Sequence, residues 1–175
     1  MTGDPVSKNA LQYTAGQMAS WVCQLEVAAP KPGNVHRGAD FEDVTLGDFL
    51  SSGIALGSAI DAHPSTGGTG SMILSAIERT NLVSKTNTNL GIILLVRPLA
   101  KLVQRGAAIT PPNIAAEIET LTGAESRAVY QAIAKAKAGG LASVDKHDVN
   151  DADGCLLYTS PSPRDQRGSR MPSSA

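Results

Sequence analysis

The run Pro30-Lys31-Pro32-Gly33-Asn34-Val35-His36-Arg37-Gly38 cannot be helical. Its prolines fix φ and lack a donor, and its glycines favour turns, so the segment is a stiff loop with little freedom left to lose on binding. Two cations, an imidazole and an amide sit on it. Glu26 comes just before, and Asp40, Glu42 and Asp43 follow just after. A loop this rigid and this densely functionalised is suited to holding a polar ligand such as a phosphate chain with its metal.

The surroundings of the loop read as helices. Leu11, Ala15, Met18, Ala19, Val22 and Leu25 recur at helical spacing from Ala10 to Glu26, which predicts an amphipathic helix ending at the Pro30 loop. Cys23 inside it reads as a small buried hydrophobe. A second helix is expected from about Thr45, with Leu46, Phe49, Leu50, Ile54 and Leu56 apolar and Gly53 and Gly57 allowing close helix approach. After the break at Pro64-Ser65-Thr66-Gly67-Gly68, a short helix should turn Met72, Ile73, Ala76 and Ile77 inward. The run from Leu90 to Val96 fits either a buried strand or a buried helix. Its continuation through Leu99, Leu102 and Val103 favours a helix, kinked or broken at Pro98. Thr110-Pro111-Pro112 opens another, and Thr122-Gly123-Ala124-Glu125 has capping-box form for a last helix running towards Ala138 and Gly139-Gly140.

No strand-turn-strand pattern interrupts this series, and aromatic residues make up only 3% of a chain that is 42% hydrophobic. A core of Ala, Leu, Ile and Val favours packed helices over a β-sandwich. The fold class is therefore all-α, a multi-helix bundle within one domain. A net charge of -1 argues against a nucleic-acid binder, no apolar stretch is long enough for a bilayer, and Cys23 and Cys155 show no zinc or disulfide spacing. A cytoplasmic setting follows as the expectation; the oligomeric state is not set by the sequence. Beyond Gly154 the composition turns abruptly to Ser, Pro and Arg, and Cys155 to Ala175 resembles translated sequencing-adapter read-through. The expected division is a native helical region over residues 1–153, incomplete at its C-terminus, and a non-native disordered tail over residues 154–175.

Within the loop, Lys31 and Arg37 are candidates for phosphate oxygens, and Glu26, Asp40 and Asp43 for Mg²⁺ or base duty. The same residues also fit a solvated loop whose acidic members precede the helix at Thr45. Thr86-Asn87-Thr88-Asn89 stands before a very apolar helix; it can cap that helix or hydrogen-bond a sugar, phosphate or purine edge. Thr66-Gly67-Gly68-Thr69-Gly70 lacks the lysine and preceding strand of a phosphate loop and is a weak signal. His63 and His147 read as isolated surface residues, and Asp145, Asp148, Asp151 and Asp153 as a solvated linker or a second metal site.

Taken together, Glu26, Pro30-Lys31-Pro32-Gly33-Asn34-Val35, the acidic segment to Phe49, and Thr86-Asn87-Thr88-Asn89-Leu90-Gly91 resemble the triphosphoribosyl-dephospho-CoA synthase family over about residues 10–153. The resemblance implies an all-α enzyme that joins ATP to 3′-dephospho-CoA with release of adenine. It places Glu26, Lys31, Pro32, Gly33 and Asn34 in the family's first motif, Asp40 and Asp43 in its acidic segment, and Asn87, Thr88, Asn89 and Gly91 in its second. Asn89 and Leu90 stand where better-known members carry His and Lys, as in a divergent branch associated with methanopterin-type C1 metabolism. The reading that follows has Glu26, Asp40 and Asp43 as catalytic or Mg²⁺-binding carboxylates. Lys31, Gly33, Asn34, His36, Arg37, Asn87, Thr88 and Asn89 contact ATP and a CoA-like or pterin-like acceptor. The competing readings are a related pterin-cofactor enzyme and a non-catalytic nucleotide-binding protein.

Overall fold

The computed structural model describes residues 13–136, and within them the chain forms six α-helices and no strand. They are α1 (Ala15–Ala28), α2 (Leu46–Ala62), α3 (Thr69–Val83), α4 (Leu90–Gln104), α5 (Pro111–Glu119) and α6 (Gly123–Ala136). Side chains set most helix starts. Thr14 with Gln17 and Thr45 with Asp48 form capping boxes, and Thr110 caps α5 with prolines in its first turn. The Thr45 hydroxyl, with its N–H, holds the Asp48 carboxyl below the usual carboxylate range. At α6 only half of the expected box forms. Thr122 Oγ1 accepts from Glu125 N at 3.3 Å, while the Glu125 carboxylate reaches across to Gly70 N instead.

Helix α2 packs on α1 and on α3, α3 packs on α6, and α4 crosses α1, α2 and α3 before meeting α5. The core is aliphatic, built around Leu56, Ile60, Met72, Ile73, Ala76, Ile77, Ile93, Val129 and Ala132. The expected inward residues of α3 are all buried, on a helix of 15 residues rather than a short one. The 90–104 segment is one helix that runs through Pro98, with both Arg97 and Pro98 buried.

The inward face of α1 differs from the periodicity. Met18, Val22 and Leu25 are exposed, and the buried stripe is Ala15, Gly16, Ala19, Cys23 and Val27. The reason is the closeness of α2. A Cβ at Gly16 would run into Gly57 O, and one at Gly57 into Ser20 Oγ and the Gly16 backbone. Only small residues fit such a seam, so the bulky side chains of α1 turn outward. Leu50 and Ile54 of α2 are exposed for the same reason. Asp61, near the end of α2, fixes the register by accepting from Gly16 N at 2.8 Å and from the Thr14 hydroxyl at 2.6 Å. Cys23 lies in this seam, 1% exposed, where burial and then the Glu26 charge push its thiol up to about 12. The expected last-helix end at Gly139-Gly140, the acidic stretch with His147, and the tail from residue 154 lie outside the described residues.

Candidate active site

The loop between α1 and α2 is folded rather than loose. Asn34 N donates to Lys31 O at 3.2 Å, and Gly33 has φ of 77°. Pro32 and Gly33 thus occupy the central positions of a turn that needs a left-handed residue third, a type II arrangement. Further on, His36 and Ala39 pair backbone to backbone at 3.0 and 2.9 Å around the Arg37-Gly38 turn. Val35 and Val44 plunge onto Val27, with Leu46 and Phe49 against them, and this small apolar cluster pins the loop to α1 and α2.

The pinned loop faces the start of α4 across an open cleft of about 270 Å³. Glu26 of α1 and Gly33, Asn34 and Val35 of the loop form one wall, and Thr88, Gly91 and Ile92 form the opposite one. The two segments that stood out in the sequence, separated by some fifty positions, therefore meet at one site. Phe41 and Phe49, the chain's two phenylalanines, complete the lining. Sequence reasoning gave Phe41 no role; the signal available was that one phenylalanine sits inside the acidic segment and the other just beyond it.

Lys31 does not itself line the cleft, but its Nζ pairs with Oε1 of the lining residue Glu26, and the Asn34 amide donates to the same oxygen at 3.4 Å. Lys31 and Glu26 are each about one-third exposed, so the pair meets solvent and can exchange partners.

The other expected site residues lie elsewhere. Asp40 Oδ1 accepts from Leu46 N at 2.7 Å and so serves the start of α2. Asp43 and Arg37 are exposed and do not line the cleft. His36 Nδ1 accepts from Gly38 N at 3.1 Å inside its own turn. Asn87 Oδ1 accepts from Leu90 N at 3.2 Å, which is the capping role. Asn89 is 3% exposed; its amide, oriented to suit its neighbours, donates to Thr88 O at 3.1 Å and accepts from Gly53 N at 3.2 Å. Of the Thr86–Asn89 segment, Thr88 alone reaches the cleft.

The expected grouping of Glu26, Asp40 and Asp43 around one metal does not form. Among the described residues no three His, Cys, Asp or Glu side chains come together in a way that could hold an ion. Asp40 is instead spent on the entry to α2, because a helix N-terminus draws carboxylates to its free N–H groups. No described helix is long and apolar enough to cross a membrane.

No curated protein and no solved structure matches the chain. The CitG family, described as ATP:dephospho-CoA triphosphoribosyl transferase, matches it over residues 12–167. That span contains both walls of the cleft and every helix described above. The motifs that line the cleft and the extent of this match lead to one assignment: the chain belongs to the ATP:dephospho-CoA triphosphoribosyl transferase family, and it is a transferase.

Proposed function

We propose that the cleft between the Lys31–Val35 turn and the start of α4 is where ATP is held while its triphosphoribosyl group passes to dephospho-CoA. The observation that carries this reading is the meeting of Glu26 and Asn34 with Thr88 and Gly91 around one opening, with Lys31 paired to Glu26 beside it. Lys31 engages a phosphate oxygen, exchanging Glu26 for it. Phe41 and Phe49 offer apolar ring faces suited to a purine.

The reaction breaks the bond between ribose C1′ and adenine and forms one from C1′ to a hydroxyl oxygen of the acceptor. Adenine leaves with the bonding electron pair and takes up a proton, and the acceptor hydroxyl loses one. In this reading Glu26 stabilises positive charge developing on the ribose or accepts that hydroxyl proton. Mg²⁺, which favours substrate phosphates, waters and only one or two carboxylates, would enter as the complex of the triphosphate. Asp40 and Asp43 are assigned no part in holding it.

The family match supports the CoA-type acceptor and lends no support to a pterin-cofactor enzyme or to a non-catalytic nucleotide-binding protein. The test is chromatographic. The full chain is incubated with ATP, Mg²⁺ and dephospho-CoA, and free adenine is measured with and without the acceptor. Acceptor-dependent adenine release is expected. ATP binding with no adenine release would return the protein to the nucleotide-binding class.

A further inference from the structure

A second cleft of about 270 Å³ lies near the far end of α4, between the start of α3 and the α5–α6 junction. Lys101, which lines it, is ten residues beyond Gly91, or about 15 Å along the helix axis. Its floor is Gly67, Gly68 and Thr69, the glycine-rich segment that the first site leaves unused. Three observations there are unexplained by packing.

Thr69 lines this cleft at 4% exposure, yet its hydroxyl has no hydrogen-bond partner. Arg97, 0% exposed, lies beside it. Its Nη2 is 3.5 Å from Gly67 O, and its Nε and Nη1 have no acceptor. Buried donors without partners are costly, a buried cation most of all. Burial is the main influence lowering the Arg97 guanidinium's pKa, opposed by the Glu117 carboxylate. Finally, the N-terminus of α3 has no side-chain cap of its own, and its Gly70 N–H is met by the carboxylate of Glu125.

Glu125 thus stands where an anion belongs, at the positive end of a 15-residue helix. Lys101 lines the same cleft, and Arg97 interacts electrostatically with Glu125. Glu117 pairs with Lys101 and, at 3.0 Å, with Arg105, so Arg97 is the cation left without an ion-pair partner. A Cβ at Gly68 would meet the Glu125 carboxylate, so a side chain there would require that carboxylate to shift.

We infer that this second cleft binds a diphosphate group, with Thr69 Oγ1 and the start of α3 donating to its oxygens and Arg97 supplying charge from beneath. The inference rests on the proposed function for its choice of ligand. A CoA-type acceptor carries a diphosphate between adenosine and its pantetheine arm, and a nucleotide triphosphate offers the same chemistry.

The probe is inorganic pyrophosphate, titrated calorimetrically into the full chain carrying Lys31→Met so that the first cleft contributes little. Adding Thr69→Val is expected to weaken binding about tenfold, the usual loss when a hydrogen bond to a charged group is removed. Thr69→Ser should keep the affinity. Because the native hydroxyl is unpartnered, Thr69→Val should not lower the melting temperature. If that variant fails to fold, Glu125→Gln decides: removing the resident charge should tighten pyrophosphate binding several-fold. Unchanged affinity in Thr69→Val, or weaker binding in Glu125→Gln, overturns the inference. In steady-state adenine release, a KM rise for dephospho-CoA alone assigns the site to the acceptor. A rise for ATP alone assigns it to the nucleotide. Pyrophosphate binding is read without turnover, so an inactive protein that still shows these shifts would refute the proposed reaction and leave this subsite standing.

Discussion

Lys31→Met separates a binding role from a structural one. In the structure Lys31 pairs with Glu26, with side-chain exposures of 39% and 32%. A pair this open contributes about 0.5 kcal/mol to stability after solvent screening and side-chain entropy are counted. Losing Lys31 should therefore barely move a urea unfolding midpoint. The effect on ATP should be much larger. A charge-assisted bond to phosphate is worth about 1.5–3 kcal/mol, and Glu26, left uncompensated, would face the incoming anion. Those energies correspond to a rise in the KM for ATP of roughly 10- to 150-fold. Glu26→Gln should show the opposite signature, with kcat falling while the KM for ATP stays level or drops. The assays are urea denaturation followed by circular dichroism, and adenine release at varied ATP. Two results would refute the reasoning: a KM for ATP unchanged in Lys31→Met, or a stability loss in that variant well beyond the roughly 1 kcal/mol that an exposed pair can supply.

Gly33→Ala should cost about 1–2 kcal/mol in urea unfolding, all of it from the left-handed backbone, since a Cβ there meets no atom within 4 Å. Gly57→Ala should lose about 1–3 kcal/mol or more through collision with α1, whereas Gly91→Ala, with open space around it, should be neutral or slightly stabilising; parallel melting curves compare them. Cys23 should resist a thiol-specific disulfide reagent in the native Cys155→Ser protein and react fully on unfolding, as labelling kinetics will show. With its folded pKa near 12 and an ordinary value of 9.0, the unfolded thiol ionises first as pH rises. Stability should then fall above pH 9, by at most about 1.4 kcal/mol per pH unit, and Cys23→Ala should flatten that slope.

Helix starts were legible in the sequence because caps are local: Thr45 and Thr110 announce α2 and α5 through side chains bonding their own backbone. The all-α class followed from the same kind of short-range signal. The packing face of α1 was not legible. Counting hydrophobicity gives the vote to Met18, Val22 and Leu25, while the seam with α2 needed residues that occupy almost no space. In the cleft, the stiff loop through Pro30-Lys31-Pro32-Gly33 could be read from its prolines and glycines, but the pairing of Lys31 with Glu26 could not. The division of labour in Thr86–Asn89 was legible only in part: the cap of Asn87 on Leu90 N is local and was among the expected roles, while Asn89 is claimed by Gly53 N of α2, which only the folded chain brings near. Arg97 was invisible for a related reason: a single cation in an apolar run carries no mark of whether water reaches it.

The Val27, Val35 and Val44 cluster is separate from the main aliphatic core. The Lys31–Asp40 segment contributes only Val35 to that cluster, so it should open at a free-energy cost below that of unfolding the bundle. Amide exchange should see it as a fast-exchanging island between two protected helices, and a nucleotide bridging Lys31 and Thr88 would slow that island alone. The enzyme would then keep its scaffold folded while the wall of its cleft swings aside to release a long, highly charged product.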